Sequence, residues 1–164
     1  MEAPKVYIET TLFNFYFAQT RGQYYGKAVR YCRETRLFFE AVRAGKFEPY
    51  TSDYVVAELE NARNDEHRIE MLQLIAGYGV KVLPRDRQAR WLANLYVEAG
   101  AITEKYKSDA LHIACATING LDFIVSLNFE HIVKGKAARI TAMVNDAEGF
   151  ESVGIYEPGE VAYE

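Results

Sequence analysis

The sequence predicts an α/β fold, a parallel sheet covered by helices, and three observations predict it. Segments of strand character alternate with segments of helical periodicity along the whole chain. The strand segments, residues 123–127 (FIVSL) above all, are apolar on both faces, as strands held between helical layers must be. No internal repeat, low-complexity tract or Pro/Gly/Ser-rich linker divides the 164 residues, a length that suits one domain spanning 1–164.

The elements follow in order. Residues 5–9 (KVYIE) form a short strand of β-preferring residues. A long helix over residues 24–44 places Ala28, Tyr31, Cys32, Phe38, Phe39 and Val42 at helical spacing, with Gly45 as its stop. Residues 47–51 are a strand, and Ser52 caps a helix reaching Ala62. Helices over 65–76 and 86–99 flank a strand at 80–83. Ser108 or Asp109 caps a helix to Ile118, which Gly120 ends before the 123–127 strand. A helix within 129–145 and a strand at 152–156 complete the alternation.

Composition narrows the class. With 49% hydrophobic and 26% charged residues the chain is globular rather than disordered. No apolar run approaches about 18 residues, and residues 1–15 lack the order of a secretory signal, so a cytoplasmic protein is expected. Cys32 and Cys115 make no disulfide framework and are expected to be reduced core residues. The net charge of −4 argues against coating nucleic acid by bulk charge. That figure hides an asymmetry. Residues 21–46 carry a local +5, and residues 147–164 a local −5. The basic stretch mixes Arg21, Lys27, Arg30 and Arg33 with Tyr24, Tyr25 and Tyr31, which suits contact with phosphates and stacking on bases. A solvated helix face with snorkelling arginines explains the same residues.

In parallel sheets the functional crevice lies beyond the carboxyl ends of the strands. Four polar residues fall there against the local apolar pattern. Glu9 ends the first strand, Glu58 borders the inward face Val55, Val56 and Leu59, Asp109 opens a helix apolar nearly all round, and Asn128 follows the FIVSL strand. Half-buried carboxylates repel one another and lose solvation unless a positive group lies between them. An oxygen-liganded divalent cation answers that need, and Mg²⁺ or Mn²⁺ suits it better than zinc because no His/Cys cluster exists. Each residue also has a plainer role: Asp109 as a helix cap, Glu58 paired with a Lys or Arg at the domain edge, Glu9 in solvent, His112 as a satisfied core histidine. Asp122 reads as the end of a turn.

The runs VYIETTLFNFY, TSDYVVAELE and SDALHIACATINGLDFIVSLNFEHI together resemble the PIN-domain nucleases, the family that includes VapC-type toxins. The resemblance runs in order from Lys5 to about Tyr156. It implies a three-layer α/β/α sandwich around a parallel sheet of four or five strands. It implies a Mg²⁺- or Mn²⁺-dependent endoribonuclease that hydrolyses RNA phosphodiesters with a metal-activated water. The family's acidic positions fall on Glu9, Glu58 and Asp109 as metal ligands, with Asn128 as a ligand or water-orienting amide. Thr10, Ser126 and His112 would stand behind them with hydrogen bonds, and Glu130 or Asp122 could add an oxygen. If the chain belongs to a toxin pair, a small antitoxin protein is its partner, and a homodimer is compatible with the family. The sequence departs from the commoner pattern twice, with Glu9 and Asn128 where many members carry Asp. A PIN-like module that binds RNA or protein without cleaving is therefore the alternative expectation.

Overall fold

The structure is a computed structural model that describes residues 2–163. Its sheet comprises β1 (Lys5–Ile8), β2 (Glu48–Ser52), β3 (Lys81–Leu83), β4 (Phe123–Val125) and β5 (Gly154–Tyr156). All neighbouring pairs are parallel, in the order β3-β2-β1-β4-β5. β1 is central because its side chains tolerate burial on both faces: Val6, Tyr7 and Ile8 are fully buried, as are Ile124 and Val125 on β4. Tyr7 stands in register with Tyr50 on one side and Ile124 on the other.

The helices are α1 (Thr10–Phe15), α2 (Lys27–Arg43), α3 (Asp53–Glu60), α4 (Asp65–Gly77), α5 (Arg87–Glu98), α6 (Lys107–Ile118), α7 (Gly135–Glu148) and α8 (Pro158–Ala162). The chain steps from β1 through β2 to β3, then returns to the far side of β1 for β4 and β5. Right-handed crossovers in opposite directions put their helices on opposite faces. The packing agrees, since α2 meets α1 and α8 while α5 meets α6 and α7. The result is the three-layer α/β/α sandwich expected, with five strands.

Several boundaries differ from the sequence expectation. α1 and α8 were not anticipated. α1 is six residues, four of them β-branched or aromatic and so poor helix formers, and it exists because Glu9 caps its first turn. α8 is set by a capping box between Glu157 and Glu160, with Pro158 in its first turn. α2 begins at Lys27, because Gly26 turns there at φ +66. α6 begins at Lys107 after a short 3₁₀ turn (Glu104–Tyr106), so neither Ser108 nor Asp109 is its cap. β4 stops at Val125, which leaves Ser126, Leu127 and Asn128 in the turn that follows. α7 starts only at Gly135, because Asn128 organises residues 128–134 instead: its carbonyl accepts from the Ile132 and Val133 amides, and its side chain from the His131 amide. Cys32 and Cys115 are free and buried, as expected. No helix among the described residues is long and apolar enough to cross a membrane.

Candidate functional site

The reversal of strand order lies between β1 and β4, the place where sheets of this kind carry their functional crevice. Glu9 stands at this switch point. It is 2% exposed, so it does not point into solvent. The Glu9 amide donates to the Val125 carbonyl at 3.1 Å, continuing the sheet for one more step. Its carboxylate Oε1 accepts from the Thr11 amide (3.1 Å), the Thr11 hydroxyl (2.5 Å) and the Ser126 hydroxyl (2.7 Å). All three land on one oxygen, and Oε2 takes no donor from the described residues. Burial pushes the Glu9 carboxyl up, against the opposing pull of His112 and these donors.

Thr11, not Thr10, is thus the hydroxyl that secures Glu9. The same Thr11 Oγ1 accepts from the Leu127 amide at 2.8 Å and ties the β1 turn to the β4 turn. Thr10 lies beside Glu58, and its buried hydroxyl has no hydrogen-bond partner of good geometry. The Ser126 hydroxyl donates to Glu9 and also accepts from the Asn128 amide at 2.9 Å.

His112 sits on α6 and is fully buried. Its Nε2 is 2.7 Å from Glu58 Oε1 on α3, and its Nδ1 is 2.7 Å from the Tyr7 hydroxyl, which lies 2.6 Å from Ser52 Oγ. The partner of Glu58 is therefore a buried histidine, not a Lys or Arg at the domain edge. Burial disfavours the charged imidazole, but Glu58, Glu9 and Asp109 outweigh it and raise the His112 pKa. For Glu58 burial acts upward, and the His112 hydrogen bond and charge bring the carboxyl below its ordinary value. The hydroxyl chain serves both protonation states. When His112 is neutral, Ser52 can donate to Tyr7 and Tyr7 to Nδ1; when it is charged, both donations reverse.

Asp109 is the third residue of α6, half-buried and without a capping duty. The positive end of the helix dipole favours its charge. Burial still raises its pKa, opposed by His112, His131 and the Asn128 amide and reinforced by Glu58. His131 stacks on Tyr106 with ring centroids 3.8 Å apart. Sequence reasoning missed Tyr7, Thr11, Tyr106 and His131, and it named Ser52 only as the start of a helix at the strand ends. A hydroxyl inside the apolar KVYIE strand was the one signal that pointed to Tyr7.

Glu9, Glu58, Asp109 and Asn128 therefore share one end of the sheet, arranged around His112. Among the described residues no three His, Cys, Asp or Glu side chains form a group able to hold a metal ion. Asp122 lies at the opposite end of the sheet, where it accepts from the Lys5 amide at 2.7 Å, and Glu130 is exposed. Of the basic residues, Lys27, Arg30 and Arg33 are exposed. Arg21 is turned inward: its guanidinium lies over Phe17 and donates to the His67 carbonyl at 3.4 Å.

The chain matches no protein-family model and no curated protein.

Proposed function

We propose that this chain is a metal-dependent endoribonuclease of the PIN-domain type, acting on RNA with Mg²⁺ or Mn²⁺. The observation that supports this most is the Ser126–Glu9 hydrogen bond across the switch point, because it sets an acid and the Asn128 turn side by side where Asp109 and Glu58 also arrive. The donor set suits a hard cation in its chemistry: three carboxylates, an amide oxygen and the unpartnered Thr10 hydroxyl, all oxygen. A bound ion would lower the pKa of a water and offset charge on the phosphate. Glu9, Glu58 and Asp109 are the residues that would hold it. Glu9 is fixed through Oε1 and leaves Oε2 for that task, while His112 compensates the carboxylates in the absence of a ligand. Lys27, Arg30 and Arg33 would take the RNA backbone. A toxin's antitoxin partner, a homodimer and a cytoplasmic location belong to the same reading.

A second reading has its own support. Glu58 is engaged by His112, and among the described residues no three-residue metal group is assembled, which favours a PIN-like module that binds RNA or protein without cleaving. A cleavage time course on structured and unstructured RNA pools across a Mn²⁺ titration, with chelator as control, separates the two. The parent is expected to cleave only with metal. Asp109→Asn keeps the side-chain shape and removes one charge, and it should lower cleavage by orders of magnitude. Asn128→Asp adds a fourth carboxylate and should tighten metal binding. A parent inert at every metal concentration leaves the binding module. An Asp109→Asn variant as active as the parent moves the site elsewhere.

A further inference from the structure

Beyond β2 and β3, one helical turn from the acidic crevice, a cleft of about 250 Å³ is lined by Tyr54, Arg85, Asp86, Arg87 and Arg90. Three guanidinium groups stand there with one acid. Arg85 lies over the Tyr54 ring, 5.4 Å from its centroid. Asp86 is committed as the cap of α5, accepting from the Gln88 amide at 2.7 Å. None of the three arginines has a carboxylate within ion-pair distance among the described residues. Arg87 and Arg90 also occupy the first turn of α5, where the helix dipole opposes a positive charge. Mutual repulsion and an unfavourable dipole are both relieved by one kind of ligand, an anion. The Tyr54 hydroxyl accepts from the Asp86 amide at 3.4 Å and keeps its own proton to donate.

The position of the cleft says which anion. Tyr54 and Glu58 are four residues apart on α3, so they share a face about 6 Å apart along the helix. On the other flank, the start of α2 meets the turn after β4, with Tyr31 and Phe129 ring centroids 5.3 Å apart. The acidic crevice thus lies between two basic flanks, Lys27 and Arg30 near the Tyr31–Phe129 contact on the β4 side and the three arginines on the β3 side. We propose that the Arg85–Arg87–Arg90 cleft binds a backbone phosphate of the RNA whose neighbouring phosphodiester lies at the Glu9–Asp109 crevice. This rests on the nuclease reading for the choice of RNA, but not for the anion site itself.

The test is binding of a fluorescein-labelled ten-nucleotide uridine RNA in chelator, followed by fluorescence anisotropy over a salt series. Parent is compared with Arg85→Gln/Arg87→Gln/Arg90→Gln and with the single reversal Arg87→Glu. All three positions are exposed, and matching circular dichroism spectra and melting curves establish that the variants fold. The triple variant is expected to lose at least tenfold in affinity, with a salt slope shallower by about 0.7, the contribution of one single-strand phosphate contact. Arg87→Glu is expected to weaken binding more than tenfold. Unchanged affinity and slope in both variants, or a parent that binds no RNA, overturns the proposal. Cleavage with Mn²⁺ is read separately. A parent that binds through the cleft without cleaving keeps the phosphate site and removes the nuclease reading. A parent that cleaves while its triple variant binds equally well does the reverse.

Discussion

His112 Nε2 lies 2.7 Å from Glu58 Oε1, joining α6 to α3 across the end of the sheet in a site where the imidazole is fully buried. Four polar groups that sequence reasoning treats separately become one unit through this contact. The imidazole sees Glu58 directly and Glu9 and Asp109 through space, so the carboxylates favour its charged form against the burial that opposes it.

Removing the imidazole leaves these acids without their shared partner, Glu9 buried and Glu58 and Asp109 half-buried. His112→Leu fills much the same space, and we expect it to cost about 2 kcal/mol, because the carboxylates lose a compensating partner while Glu58, 38% exposed, keeps part of its solvation. Urea denaturation at pH 6 measures it; an unchanged midpoint means the contact carries no net stability.

The same pair sets a pH window. The folded His112 pKa is raised, so its contribution is complete below the ordinary histidine value of about 6.5 and is lost as pH rises through the folded value. The folded Glu58 pKa is lowered, so its contribution is present above the ordinary value of about 4.3 and is lost as pH falls through the folded value. The stability difference between parent and Glu58→Gln should therefore be largest between roughly pH 4.3 and 6.5. A difference that grows steadily above pH 8 contradicts this assignment.

Glu9 behaves in the opposite sense. Burial raises its pKa, so the ionised carboxylate costs stability at neutral pH, and that cost disappears as pH falls through the folded value. Glu9→Gln keeps the acceptor for Thr11 and Ser126 and is expected to raise the melting temperature at pH 7.5 while abolishing RNA cleavage. The gain should vanish near pH 4. Such a trade is expected where a strained charge is kept for function. A lower melting temperature at pH 7.5 overturns the account.

The basic residues separate into two groups. Arg21→Ala removes a guanidinium stacked on Phe17 and bonded to α4, and it should cost about 1 kcal/mol of stability without changing RNA binding. Arg30→Ala/Arg33→Ala changes exposed residues, so stability should stay within about 0.5 kcal/mol. The slope of log affinity against log salt should become shallower by about 1.4. Thermal melts and salt-dependent anisotropy on the same samples read both, and an unchanged slope in the double variant favours the solvated-face explanation.

The sequence by itself determined the alternation of the main elements, the parallel sheet and the end of β1 where Glu9 sits. It could do so because a strand covered on both faces must be apolar throughout, and a polar residue at its end then stands out. It also marked Asp109 and Glu58, polar residues set in apolar helical patterns. It did not determine who would touch whom. Placing β4 beside β1 rather than beside β3 is a property of the folded sheet, and only that order brings Ser126 to Glu9, 117 residues away. Thr11 displaces Thr10 as the partner of Glu9 because α1 starts at Thr10 and turns the next hydroxyl back toward its cap, a consequence of helix geometry invisible in two adjacent threonines. Glu58 finds a histidine 54 residues later because α3 and α6 meet over the strand ends. Local periodicity encodes which face is buried, but the charge balance inside the crevice depends on long-range contacts that only close packing selects.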